Sequence, residues 1–169
     1  MNALIQQDTI SLESIAQFLY REARFLDDEQ WDDWLQCYAP SASFWMPAWD
    51  EDDTLTNDPQ REVSLIYYAS RSGLEDRIFR IETERSSATI PDTRHGKSIS
   101  NLEVLSQDEN SVKLRFNWIT NSFRYDILDT YFGYSEYTLD TSGPKPVIKK
   151  KYVVLKNDYI HHVLDIYHI

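Results

Sequence analysis

The chain has 169 residues and a formal net charge of -11, with one cysteine and 14% aromatic residues. That length predicts a single domain with a core large enough to stand without staples. The acidic balance argues against a nucleic-acid partner, whose phosphates would be repelled. Cys37 alone cannot form an internal disulfide, nor hold an iron–sulfur cluster on thiolates of this chain.

Residues 1–10 read as an arm, and residues 11–169 as one α+β domain. No basic start followed by an apolar stretch marks a signal peptide, and no apolar run nears the ~20 residues of a membrane span. A cytoplasmic protein is the expectation. Leu12, Ile15, Ala16, Leu19, Ala23 and Leu26 share one helical stripe, with Ser11 as N-cap and Glu13 in the first turn. Asp27 and Gln30 have capping-box spacing ahead of a second helix, whose stripe is Trp31, Trp34, Leu35 and Tyr38 and which Pro40 ends.

Ala42–Trp49 reads as a strand with Phe44 on one face and Trp45 and Trp49 on the other. Pro47 lacks a ladder donor, so an edge position or a bulge is expected there. A strand apolar on both faces needs cover on both, and the outer one is a candidate partner surface. The acidic Asp50–Asp53 run reads as a solvated turn. Residues 62–69 alternate as a strand. Ser72 and Glu75 have capping-box spacing, and Leu74, Ile78 and Ile81 stripe a third helix reaching about Glu84. Residues 86–96 are a polar loop, and 98–105 a strand.

Three long strands follow. In the first, Val112, Leu114, Phe116, Trp118 and Thr120 alternate with polar residues. The apolar phase then slips to Phe123 and Tyr125, which predicts a β-bulge. Residues 131–139 and 147–155 make the next two, joined by a turn at Thr141-Ser142-Gly143-Pro144. The architecture predicted is a strongly bent, mostly antiparallel sheet wrapped around the N-terminal helices, a cone able to enclose a pocket.

Candidate chemistry is sparse. His161, Asp165 and His168 could form a two-His, one-carboxylate iron triad only on a helix, and 163–167 has no helical stripe. A Cys37–His pair is weaker than a core role for Cys37. An Asp/His acid–base pair at the floor of the cone would suit a dehydratase or isomerase, and the same cavity would suit a ligand-binding module. Trp45, Trp49, Arg77, Arg80, Arg85 and Arg94 are the candidate interface residues, since aromatics and Arg concentrate at interfaces.

Several segments together carry a resemblance. They are Tyr38-Ala39-Pro40 leading to Phe44-Trp45-Met46-Pro47-Ala48-Trp49-Asp50, Asp58-Pro59-Gln60-Arg61-Glu62 leading to Ser64-Leu65-Ile66-Tyr67-Tyr68, Gly73-Leu74-Glu75-Asp76-Arg77, Thr83-Glu84-Arg85-Ser86-Ser87-Ala88-Thr89, and Tyr152-Val153-Val154-Leu155-Lys156-Asn157-Asp158. In this order and spacing they resemble the small (beta) subunit of aromatic-ring-hydroxylating dioxygenases, in the benzoate, toluate and halobenzoate branch. The resemblance implies a nuclear-transport-factor-like (SnoaL-like) cone and assembly with a large (alpha) subunit, three of each. It places the Rieske 2Fe-2S cluster and the mononuclear iron in that large subunit, with electrons from NADH through a reductase. It implies a structural role here, with no catalytic, cofactor or metal residue in this chain.

Overall fold

The computed structural model describes residues 9–83 and 93–169. Arg85 and most of the polar loop at 86–96 therefore lie outside the described residues, as does most of the N-terminal arm. Helices α1 (Leu12–Asp27) and α2 (Trp31–Leu35) lead into strands β1 (Tyr38–Pro47) and β2 (Ser64–Tyr68). Helix α3 (Arg71–Thr83) follows, then β3 (Arg94–Gln107), β4 (Ser111–Arg124), β5 (Ile127–Asp140) and β6 (Val147–Leu155), and a closing 3-10 turn, Ile166–His168. One six-stranded sheet runs β2-β1-β6-β5-β4-β3, antiparallel throughout except where β1 lies parallel to β6. The element order is the one the sequence predicts.

Helix α1 begins as expected, with the Ser11 hydroxyl accepting from the Ser14 amide. Its buried stripe is rotated from the predicted one. Ile15, Phe18, Leu19, Glu22, Ala23 and Leu26 face the sheet, while Leu12 is exposed. The predicted stripe counted only apolar positions and so missed a buried carboxylate at Glu22.

Helix α2 is shorter than predicted. It ends at Leu35, and Tyr38 already belongs to β1, paired with Ile148. The Cys37 carbonyl accepts from the Ile148 amide at 2.8 Å, so pairing with β6 replaces another helical turn. Pro40 does not end the helix but sits in β1, inside an irregular stretch between Tyr38 and Ser43, where its missing N–H costs no ladder bond. No side chain caps α2: Gln30 is its N-cap, and Asp27 instead accepts from the Lys97 amide. Ser72 likewise falls inside α3 and not at its cap. The α3 stripe of Leu74, Ile78 and Ile81 is buried as predicted.

Pro47 sits at a register shift, as its missing donor requires. The bulge predicted in β4 is absent. Its pairing with β5 is continuous from Ser111 to Arg124, and Thr120 and Ser122 carry the buried phase onward. The inner face turns polar toward the mouth of the cone, so an apolar count misjudged the phase. Bulges fall instead in β3, around Asn101 (φ 55), and between β5 and β6 at Thr138/Leu139. The latter switches phase in β6, so Ile148, Lys151, Val153 and Leu155 are buried while Tyr152 faces out, half-buried.

Tyr125 and Asp126, both with positive φ (52° and 59°), close the β4–β5 hairpin with a two-residue turn of type I′ geometry. Gly133 sits where β5 crosses β6, and a Cβ there would collide with the Val154 carbonyl. The core lies between α1, α3 and the inner faces of the strands, with Trp34, Trp118, Phe44 and Phe116 among its largest side chains.

Candidate functional site

Three regions carry the chemistry: the interior of the cone, its mouth, and the outer face of the sheet.

Inside the cone, Glu22 projects from α1 toward Lys151 on β6. Its Oε1 accepts from Trp34 Nε1 at 2.8 Å and from the Tyr38 hydroxyl at 2.9 Å, and lies 3.5 Å from Lys151 Nζ. The Lys151 ammonium is ringed by Phe44, Tyr137 and Trp34, with ring centroids at 4.8, 5.4 and 6.0 Å. Burial pushes the Glu22 carboxyl up, but Lys151, Lys97 and the two hydrogen bonds outweigh it and hold the acid below its usual range. Burial lowers Lys151 against the pull of Glu22. Burial and repulsion from Lys151 bring Lys97 down to about 7. Cys37 is buried, and burial together with Glu22 pushes its thiol up to about 12, an inert core cysteine.

This is a closed, ion-paired network, fully inside the hydrophobic core. The buried acid is a glutamate held by Trp34, Tyr38 and Lys151, not the Asp/His pair a dehydratase reading requires. A sequence signal for it existed: Glu22 lies seven residues after Ile15 on the buried stripe, and Lys151 shares the alternating phase of Val153 and Leu155 in β6.

At the mouth, the C-terminal turn folds under α3. Arg77 grips Asp165 through two nitrogens, Nε to Oδ1 at 2.9 Å and Nη2 to Oδ2. The Asp165 amide donates to His168 Nδ1 at 2.9 Å. Burial lowers the His168 imidazole to about 4, with Asp165 pulling the other way. A cleft of about 330 Å³ borders this region, lined by Arg77, Ser122, Tyr131, Asp165, Tyr167 and His168 among others. His161, Asp165 and His168 do not form an iron triad: Asp165 is committed to Arg77, and His168 Nδ1 to a backbone amide. Among the described residues no group of three or more His, Cys, Asp or Glu converges on a metal position.

The predicted interface residues separate into two groups. Trp45 and Trp49 lie together on the outer face. Trp45 Nε1 donates to Ser64 Oγ at 3.0 Å, and its ring meets Tyr152 edge-on at 5.2 Å. Trp49 Nε1 donates to the Leu155 carbonyl at 2.7 Å, and the residue is 47% exposed. Arg77, Arg80 and Arg94 lie elsewhere: Arg77 in the mouth, Arg80 exposed on α3, and Arg94 at the start of β3, its guanidinium 5.3 Å from the Phe123 ring centroid. The outer face also carries Tyr67, which pairs with Trp45 across β2 and β1, and Phe132, which pairs with Ile119 across β5 and β4.

Residues 21–162 match the family model described as the ring hydroxylating beta subunit. The chain belongs to this family. It is 66% identical to the benzoate 1,2-dioxygenase subunit beta of Acinetobacter baylyi over 169 residues, covering all of both chains. It is 62% identical to the toluate 1,2-dioxygenase subunit beta of Pseudomonas putida, over 95% of this chain and 99% of the other. Among solved structures, the beta subunit of the benzoate 1,2-dioxygenase from Burkholderia mallei superposes with a TM-score of 0.83 at 54% identity, covering 96% of this chain and 99% of that one. The cone fold, the dioxygenase-subunit assignment and the need for an alpha-subunit partner follow from this membership. Among the described residues no helix is long and apolar enough to cross a membrane.

Proposed function

We propose that this chain is the non-catalytic small subunit of the terminal oxygenase of a benzoate-type dioxygenase, and that its work is to hold catalytic large subunits in a three-plus-three assembly. The single observation that carries the reading is identity of 66% along the full length of a benzoate 1,2-dioxygenase beta subunit. The local chemistry supports it. The buried acid and amine in the cone neutralise each other, and the described His and Asp side chains at the mouth are engaged in structural contacts.

In this reading the large subunit carries a Rieske cluster and a mononuclear iron, fed with NADH electrons by a reductase. Together they supply the redox chemistry for cis-dihydroxylation of the ring with O₂. This chain's own residues contribute rigidity: the Glu22–Lys151 network locks α1 to β6, and Arg77–Asp165 locks the C-terminal turn to α3.

Co-expression with a benzoate-type large subunit tests the proposal. The expected result is co-purification of a complex with a Rieske absorption spectrum that, given reductase and NADH, consumes O₂ on benzoate, while this chain alone turns nothing over. Turnover of benzoate by the isolated chain, or failure to pair with any such large subunit, would overturn it.

A further inference from the structure

We infer that the cleft at the mouth of the cone, between α3, the β4–β5 hairpin and the C-terminal turn, is a binding site for one small aromatic carboxylate. Such a site deepens the benzoate-type reading above and rests on it for the choice of probe. Three polar side chains line the cleft while more than nine-tenths buried: Ser122 (5% exposed), Tyr131 (3%) and His168 (6%). The two hydroxyls and His168 Nε2 make no hydrogen bond among the described residues. Buried polar groups take partners, so three of them turned to one cleft point to a polar ligand. Strand register brings the hydroxyls together. Thr120 pairs with Tyr131 and Ser122 with Asp129, which puts Ser122 and Tyr131 on adjacent rungs of the inner face. The Tyr131 ring centroid lies 5.0 Å from that of His168.

Polarity selects the ligand. The Asp165 amide donates to His168 Nδ1, so the neutral ring carries its proton on Nε2. Nε2 is thereby a donor and cannot take a proton from a ligand, so the site binds without reacting. The serine and tyrosine hydroxyls can donate beside it. Arg77 and Arg124 also line the cleft, set against Asp129 and Asp165. Arg77 grips Asp165, and His162 Nε2 stands 3.6 Å from Asp129. In a chain of net charge -11, this is a place where cations match the acids. Converging donors with the local acids matched call for an anionic acceptor, a carboxylate. The walls call for a ring. Tyr131 and Tyr167 flank His168, with centroids at 5.0 and 4.4 Å, and Ile81 closes the α3 side. Apolar faces around a few placed donors are the usual make-up of a small-molecule site. The cleft's volume of about 330 Å³ lies at the small end of the ~300–1,000 Å³ range of such sites, which suits a one-ring ligand.

The probe is sodium benzoate, titrated into the full chain without the large subunit and followed by calorimetry and by nitrogen-edited NMR of the histidine side chains. One saturable site per chain is expected, with the His168 Nε2–H signal shifting as it fills. A hydrogen bond to an ionised group is worth about tenfold or more in affinity, so Tyr131→Phe and Ser122→Ala should each weaken benzoate about tenfold. Each removes a single oxygen, and a cooperative thermal transition shows that the variant is folded. Arg115→Gln, on the outer face of β4, should bind as wild type. Acetate, which lacks the ring, should bind at least about tenfold more weakly than benzoate. No saturable benzoate binding, or Tyr131→Phe and Ser122→Ala chains that bind as wild type, would overturn the inference. Acetate as tight as benzoate would also overturn it, leaving a general anion pocket. A chain that binds benzoate but pairs with no large subunit would refute the scaffold reading alone. One that pairs with a large subunit but binds no benzoate would refute this site alone.

Discussion

Replacing Lys151 with Met tests the interior network most directly. Glu22 and Lys151 are each 1% exposed, and their atoms lie 3.5 Å apart. Methionine keeps most of the lysine stem's volume and its contacts with Phe44, Trp34 and Tyr137. What it removes is the cation that, among the described residues, stands within ion-pairing distance of the buried Glu22 carboxylate. Breaking one partner of such a pair costs about 3–5 kcal/mol, because the remaining charge is left uncompensated. Trp34 and Tyr38 still donate to Glu22, which places the expected loss near the lower end, about 3 kcal/mol. For a domain of this size that lowers the melting temperature by roughly 6–12 °C. The double variant Glu22→Gln/Lys151→Met buries no charge and should recover at least about 1 kcal/mol of that loss.

The assay is chemical denaturation of the four proteins of the double-mutant cycle, at one protein concentration so that assembly contributes equally. The folded-state pKa of Glu22 is depressed, so the pair's stabilisation is present above the unfolded carboxylate value near 4.5 and is lost as pH falls through the lower folded value. The Lys151→Met variant should therefore differ most from wild type at neutral pH, and the gap should narrow in acid. A Lys151→Met protein within about 0.5 kcal/mol of wild type at pH 7, or two single costs that simply add in the double variant, would refute the argument.

Three further outcomes are expected. Gly133→Ala should destabilise by more than about 3 kcal/mol in equilibrium unfolding, because its Cβ would meet the backbone carbonyl of Val154, which cannot rotate away. Asp126→Gly should stabilise by about 0.5–1 kcal/mol, read as a rise in denaturation midpoint, by relieving a non-glycine residue at φ 59. His168, lowered to about 4, favours the neutral ring in the folded state. Its contribution is complete above the usual imidazole value near 6.5 and is lost as pH falls from there toward 4. His168→Asn should flatten that part of the stability–pH curve, and hydrogen exchange of the C-terminal turn should report the same change.

The elements themselves were legible in the chain because they rest on local rules. The Leu74, Ile78 and Ile81 stripe, the Ser11 cap and the two-sided β1 strand with its bulge at Pro47 all follow from spacing and backbone chemistry, and the structure reproduces them. Family membership was legible for the same reason: ordered segments along the whole chain carry it. The misreadings cluster where a partner distant in sequence decides. Tyr38 leaves its helix because β6 offers Ile148 to pair with. The β4 phase runs on through Thr120 and Ser122 because β5 holds it in register. Asp27 gives up its cap to the Lys97 amide.

The same division governs the candidate site. The sequence by itself determined that rings and guanidinium groups were in surplus, and that Trp45 and Trp49 faced away from Phe44. It could not place Arg77 against Asp165, 88 residues away, or set Phe132 opposite Ile119 on the outer face. Nor could it join Glu22 to Lys151 inside the core. Periodicity reports which face a residue occupies on its own element. Only strand register and helix packing decide what stands opposite, and a buried ion pair or a cross-strand apolar pair exists only once both sides are in place.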